Sequence, residues 1–334
     1  MTRPGPPARP GVPAGPGVPL EAALASGPPL VLDGGLSDQL EAQGCDLSDE
    51  LWSARLLADD PRRITNAHAA YVRAGARVLI TASYQASFEG FARHGTDRRE
   101  AADLFRRSVS LAREAAGGRA WVAASVGPYG AVLADGSEYR GRYGLSVREL
   151  AAFHAPRIAA LAEAEPDVLA LETVPDVDEA EALLRAADGC GIPVWLSFTV
   201  DGPRTRAGQP LAEAFAAAGG LDQVVAVGVN CCAAVDVDHA VEVAAATTGK
   251  PVVVYPNSGE SWGARGVSGD GEAGPSRGAW RGADTFAAGR PGAPEAGPAS
   301  WVRGWVERGA RLIGGCCRVG PQAVAELSRE LGRT

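Results

Sequence analysis

Two short cysteine runs hold the residue types most able to do chemistry. One is Gly228-Val229-Asn230-Cys231-Cys232 and the other is Gly314-Gly315-Cys316-Cys317-Arg318. Each follows an apolar segment that reads as a buried strand, Gln223 to Val227 and Arg311 to Ile313. Cys231 and Cys316 lie 85 positions apart, so only the fold can unite them. Three thiolates meeting at strand ends would bind zinc and leave one coordination position open, the arrangement of a catalytic rather than a structural site. Adjacent cysteines on an extended strand face opposite ways. The Gly-Gly before Cys316 supplies the irregular backbone that turns both thiols to one side. The proposed ligands are Cys231, Cys316 and Cys317, with Cys232 a bystander and Cys45 and Cys190 structural.

These residues need a scaffold, and the chain alternates between strand and helix patterns. Apolar strand runs are expected at Pro29–Leu32, Arg77–Thr81, Ala120–Val126, Asp167–Leu171, Pro193–Phe198, Gln223–Val227, Pro251–Tyr255 and Ala310–Ile313. Between them fall helical stretches, among them Pro61–Ala74, Asp97–Ala116 and Ser146–Ala164. In the last, Ser146 with Glu149 three residues on forms a capping-box pattern. Strict alternation implies a parallel sheet. Eight units in a chain of 334 residues fit an α/β fold of the (β/α)8 TIM-barrel type in a single domain over 20–334. No GxGxxG follows the first strand, which lowers the doubly wound alternative. Residues 1–19 read as a disordered Pro/Gly-rich tail, and about 263–299 as a Gly/Pro-rich insertion.

In a barrel of this type, function lies at the carboxyl ends of the strands. Asp33, Ser83, Glu172, Asn230, Cys231, Asn257, Cys316 and Cys317 fall there. Acids and thiols at buried strand ends are costly unless paired or metal-bound. Asp33 and Glu172 are candidates to hold an α-ammonium group. The amides of Gly34 and Gly35, ahead of a helix, are candidates to seat a carboxylate. Together they would make an amino-acid site, with Ser83 and Asn257 as further substrate contacts. The four histidines, His68, His94, His154 and His239, fall in or near helices, and a helix-surface or core position is expected for each.

The bulk numbers exclude several classes. Lys+Arg is 32 against Asp+Glu 40, a net charge of -8, and Lys250 is the only lysine, so no nucleic-acid partner is expected. No apolar run approaches the roughly 18 residues of a membrane span. The N-terminus lacks the apolar core of a secretory signal. A cytoplasmic, monomeric protein is expected, in whose reducing surroundings six cysteines favour metal or catalytic use.

These motifs resemble the homocysteine S-methyltransferases, the zinc-dependent homocysteine-binding barrels. The resemblance runs from about Val31 to Glu330. It includes Asp33-Gly34-Gly35, Thr81-Ala82-Ser83-Tyr84-Gln85, Gly127-Pro128-Tyr129-Gly130, Leu133 through Tyr139, Glu172-Thr173, Tyr255 through Glu260 and both cysteine runs. It is closest to the bacterial and plant branch that uses S-methylmethionine or S-adenosylmethionine. The resemblance implies zinc on Cys231, Cys316 and Cys317, homocysteine held by Asp33 and Glu172, and methionine as product. It leaves betaine as donor, selenocysteine or another thiol as acceptor, and non-catalytic binding as alternatives. The chain departs from the family pattern at Asp201–Gln209, which carries Arg204 and Arg206, and in its long Gly/Pro-rich insertion, where Trp280 is a candidate remnant of a family tryptophan.

Overall fold

The computed structural model describes residues 16–47, 51–263, 279–281, 283–293 and 296–333. Most of the expected N-terminal tail (1–15) and part of the insertion (264–278, 282 and 294–295) lie outside the described residues.

Eight parallel strands form one sheet: β1 (Leu30–Val31), β2 (Val78–Ile80), β3 (Trp121–Val126), β4 (Val168–Val174), β5 (Val194–Phe198), β6 (Val224–Asn230), β7 (Val252–Tyr255) and β8 (Ala310–Ile313). From β2 to β8 each pairs in parallel with the next, and β8 pairs with β1. The Leu32–Val78 bridge joins β1 to β2 and closes the barrel. Helices cover the outside, as strand–helix alternation requires. Two of them, Arg98–Ala116 and Val147–Ala162, start from full capping boxes, Asp97 with Glu100 and Ser146 with Glu149. No helix among the described residues is long and apolar enough to cross a membrane.

The side-chain period of two splits each strand between two cores. On β3, Val122, Ala124 and Val126 face the helices, while Trp121 and Ala123 fill the barrel. The lower interior is apolar, and the helix Leu20–Ser26 plugs it with Leu20, Ala23 and Leu24. Just before this helix, the Val18 carbonyl accepts from Trp121 Nε1 at 3.0 Å. The same inward alternation then delivers Ser125, Glu172, Ser197, Asn230 and Tyr255 to the top layer, all buried. The interior therefore changes from apolar to polar along its axis.

Two strands run further than the expected ranges. β4 continues past Leu171 to Val174 and β6 past Val227 to Asn230. The polar residues that suggested strand ends lie within the ladder instead, because their side chains find partners inside the barrel. Gly228 belongs to this tight packing: a Cβ there would lie 1.8 Å from the Val253 carbonyl oxygen on the neighbouring strand. The segment after β5 is a small antiparallel ribbon, Val200–Asp201 with Arg204–Thr205. Ser261–Gly263 pairs with Ala279–Arg281 across the insertion, which sets Trp262 opposite Trp280.

Candidate metal and substrate site

The three cysteines converge at the mouth of the barrel. The sulfur of Cys231 lies 3.7 Å from that of Cys317, and Cys316 and Cys317 are 4.0 Å apart. All three sulfurs fall within 4.8 Å of one another. Cys231 immediately follows β6 with φ 49°, a left-handed conformation that turns the chain out of the strand. Its N–H donates to the Tyr255 carbonyl at 3.2 Å, and Thr199 Oγ1 donates to its carbonyl at 3.0 Å.

The Cys316-Cys317 loop is held by β1, β7 and the segments after them. Gly315 N donates to the Asp33 carbonyl at 3.1 Å and Cys316 N to the Pro256 carbonyl at 2.7 Å. Cys317 N donates to Asn257 Oδ1 at 3.2 Å, and Ser258 N to the Cys317 carbonyl at 3.0 Å. Arg318, at φ 64°, ends the turn. Its N–H donates to Asp38 Oδ2 at 2.6 Å, and its Nε to Glu260 Oε2 at 3.2 Å.

Among the three clustered thiols, Cys231 is the one shifted down. Hydrogen bonds from the Cys316 and Cys317 thiols pull its pKa well below the usual range, and the Tyr139 hydroxyl, donating at 3.8 Å, adds to this against the effect of burial. Cys316 and Cys317 are correspondingly pushed up by their interaction with it. Cys232 is set apart: 1 % exposed, packed in the outer hydrophobic core, with its thiol pushed up by burial.

Two acids share the mouth. Asp33 is 1 % exposed; its Oδ2 accepts from Ile80 N at 2.9 Å, and its Oδ1 has no partner. Burial raises its pKa well above the carboxylate range, and the charge of Glu172 adds to the rise. Glu172 is pushed up to about 7, first by burial and further by the Cys231 thiolate, while hydrogen bonds from Ser125 and Tyr255 oppose the shift. Two buried acids, the charge of one raising the pKa of the other, are a receptive site for a cation.

The remaining expected contacts have local duties. Gly35 donates its N–H to the Val319 carbonyl at 3.0 Å, so that amide is not available to seat a carboxylate as expected. A Cβ on Gly35 would lie 2.8 Å from the Cys316 carbonyl oxygen, so its role here is close approach to the cysteine loop. Ser83 donates to the Ser125 carbonyl at 2.8 Å and pairs with Thr81 Oγ1 at 2.7 Å. Asn257 faces the cysteine loop, as described above.

Several residues at the site were not singled out from the sequence. Tyr139 and Glu138 reach it from the turn Ser137–Tyr139. Glu138 is pushed up to about 7, chiefly by burial and then by the charge of Cys231. The Arg206 guanidinium lies 5.9 Å from the centre of the Tyr139 ring, so the ribbon after β5 borders the site. Glu138 and Tyr139 sit in a Gly-Ser-Glu-Tyr run after the helix Tyr129–Leu133, and an acid beside an aromatic was the available signal. His154 is a core histidine, as expected of its position; its Nε2 lies 3.0 Å from Glu179 Oε1.

A parallel barrel with clustered thiols and buried acids at its carboxyl end defines a TIM-barrel enzyme with a metal-competent centre. The family model described as homocysteine S-methyltransferase matches residues 30–331. The homocysteine S-methyltransferase YbgG of Bacillus subtilis is 41% identical over 324 residues, covering 92% of this chain and 96% of its own. The Escherichia coli homocysteine S-methyltransferase is 42% identical, covering 92% and 97%. The crystal structure of the Escherichia coli homocysteine methyltransferase MmuM in its metallated form superposes with a TM-score of 0.77 at 40% identity, covering 93% of this chain and 99% of that one. The chain belongs to the homocysteine S-methyltransferase family.

Proposed function

We propose that this enzyme transfers a methyl group from a sulfonium donor, S-methylmethionine or S-adenosylmethionine, to the sulfur of L-homocysteine, giving methionine, with zinc as its metal. The observation that carries the reading is the meeting of Cys231, Cys316 and Cys317 within 4.8 Å beside the buried acids Asp33 and Glu172. Three soft sulfur donors suit zinc, and a relative of the same fold is known in a metallated form. When bound, zinc would supply a Lewis-acidic position that lowers the pKa of a substrate thiol.

The residues of the chain account for the rest. Asp33, with its unpartnered Oδ1, and Glu172 bind the α-ammonium group of homocysteine and fix its sulfur toward the thiol cluster. Tyr139 donates to Cys231 and tempers the negative charge there. The homocysteine thiolate attacks the donor methyl in line. A new carbon–sulfur bond forms as the donor carbon–sulfur bond breaks, and its electron pair stays on the donor sulfur. Anion and cation become two neutral thioethers, so the reaction needs positioning and exclusion of water more than acid–base catalysis.

The test is a donor panel of S-methylmethionine, S-adenosylmethionine and betaine with homocysteine, run with measured zinc content. Methionine formation from a sulfonium donor, lost on chelation and restored by zinc, is the expected result. Turnover with betaine alone would overturn the donor assignment, and full activity without metal would overturn the zinc assignment.

A further inference from the structure

Three ionisable side chains with no part in the mechanism above meet outside the barrel, beyond the end of β3. His154 and Arg157 come from the helix Val147–Ala162, and Glu179 from the helix Val177–Ala187. None of them is more than 1 % exposed. Arg157 Nη2 lies 2.6 Å from His154 Nδ1. A guanidinium can only donate, so Nδ1 accepts and the imidazole carries its proton on Nε2. Nε2 then donates to Glu179 Oε1 at 3.0 Å. A neutral histidine thus bridges a buried cation and a buried acid. Burial and the charge of Arg157 hold the His154 pKa well below the ordinary range, in keeping with that state.

Taking charges out of water costs about as much as their attraction returns, so stability alone does not account for this arrangement. Its outer members both act on one turn. Arg157 Nη2 donates to the Gly127 carbonyl, and Glu179 Oε1 accepts from Tyr129 N at 2.6 Å. The turn Gly127-Pro128-Tyr129 is thereby gripped at both ends, its carbonyl by the cation and its N–H by the acid. The Phe153 ring packs on both sides of the grip, 5.1 Å from the Arg157 guanidinium and 4.9 Å from the Tyr129 ring.

The gripped turn leads to the site. It opens the helix Tyr129–Leu133, and a Cβ on Gly130 would lie 2.5 Å from Glu138 N, so this helix and the turn Ser137–Tyr139 touch backbone to backbone. Tyr139 then donates to Cys231 Sγ at 3.8 Å. Close-packed backbone passes a displacement on rather than absorbing it.

We propose that Arg157, His154 and Glu179 are positioning residues, a buried clamp that sets the segment from Gly127 to Tyr139 against the thiol cluster. This rests on the methyl-transfer reading above. Asp33 and Glu172 are held by other partners, Ile80 N and Ser125, and the Cys316-Cys317 loop by the segments after β1 and β7. The clamp therefore bears on kcat, which depends on alignment, and leaves homocysteine and metal binding to those groups.

The experiment compares His154→Leu, His154→Gln and His154→Asn in the full-length, zinc-loaded protein. It measures kinetics with homocysteine and whichever of S-methylmethionine and S-adenosylmethionine the wild type uses, together with zinc content and urea midpoints. Leu neither donates nor accepts. The Gln amide nitrogen reaches the position of Nε2, whereas Asn is too short to meet Glu179. The expected result is a kcat per bound zinc lowered about tenfold or more in His154→Leu and His154→Asn and kept within about threefold of wild type in His154→Gln. Zinc content and the homocysteine KM should stay within about twofold in all three. A purely structural role lowers the urea midpoint and leaves kcat per bound zinc unchanged, and that result overturns the proposal. Equal loss of kcat in all three variants also overturns it, because restoring the donor to Glu179 must restore alignment. If His154→Leu does not fold, His154→Asn against His154→Gln decides in the same way. Wild type without methyl transfer sinks the functional reading itself, whereas active wild type with undiminished variants sinks only the clamp.

Discussion

Asn230 and Thr173 exchange two hydrogen bonds: Asn230 Nδ2 donates to Thr173 Oγ1 at 2.7 Å, and Thr173 N donates to Asn230 Oδ1 at 2.8 Å. Asn230 immediately precedes Cys231, and Thr173 immediately follows Glu172. A single amide therefore ties an acid of the site to a thiol of the cluster. Thr173 has φ 58°, which is strained for a β-branched residue, and Cys231 has φ 49°. Ser197 Oγ adds a third bond to Asn230 Oδ1 at 2.8 Å. Asn230→Ala leaves these partners buried and unpaired, and is expected to destabilise the fold by about 2–4 kcal/mol and weaken metal binding about tenfold. Urea melts and zinc titration check both. An unchanged urea midpoint would show that the strained turns hold themselves.

The cysteine runs separate by metal content. Cys316→Ala is expected to lose zinc and activity together, as are Cys231→Ala and Cys317→Ala. Cys232→Ala removes one small buried group from the outer core and is expected to keep most of both, at a cost of about 1 kcal/mol in stability. Elemental analysis of the four variants decides the matter. Zinc retained at full occupancy in Cys316→Ala would refute the proposed centre.

Glu172→Gln keeps the shape of the side chain and removes its charge. The homocysteine KM is expected to rise at least tenfold, because the ammonium loses one of two buried acids. Zinc content should be unchanged, since Glu172 is hydrogen-bonded to Ser125 and Tyr255 rather than to a cysteine. Steady-state kinetics at saturating donor give the answer, and an unchanged KM would argue against the ammonium role.

The alternation of apolar and helical segments made the barrel legible, because each strand needs a continuous buried run and each helix an amphipathic face. Strand ends were less legible. Glu172 and Asn230 were read as lying past their strands because they are polar, yet both sit in the ladder with partners that only the closed barrel provides. The thiol cluster was legible because Cys316 and Cys317 follow a Gly-Gly pair at a strand end. Glu138 and Tyr139 were not, because a short turn between two helices carries no periodicity to say which way its side chains point. The Gly35 amide was misjudged for a related reason: it looks free in sequence, but its partner, the Val319 carbonyl, is almost three hundred residues away.

Asn257 distinguishes a substrate contact from a support for the cysteines. Its Oδ1 accepts from Cys317 N at 3.2 Å, and its own N–H donates to the Cys232 carbonyl at 2.9 Å. Asn257→Ala is expected to weaken zinc binding by roughly ten- to a hundredfold. At saturating zinc, the homocysteine KM should stay within about twofold of wild type. A raised KM at unchanged zinc affinity would instead make Asn257 a substrate contact.

His68 links pH to stability. It is fully buried in the helix Pro61–Ala74, and neither ring nitrogen has a hydrogen-bond partner. Burial lowers its pKa from the ordinary value near 6.5 to about 4. The unfolded chain therefore takes up a proton that the folded chain refuses. Stability from this group is complete above about pH 6.5 and falls as pH drops toward 4, by up to ~1.4 kcal/mol per pH unit. Glu172 and Glu179, both raised to about 7, act in the opposite sense: their protonated forms are favoured in the fold, so their contribution falls as pH rises from about 4.5 through 7. Comparison with His68→Leu cancels these acids, which are present in both proteins. The stability of His68→Leu relative to wild type should be constant above pH 7 and grow steadily between pH 6.5 and 4.5 in denaturant melts. A difference that stays flat across that range would mean that the folded protein admits the proton at His68.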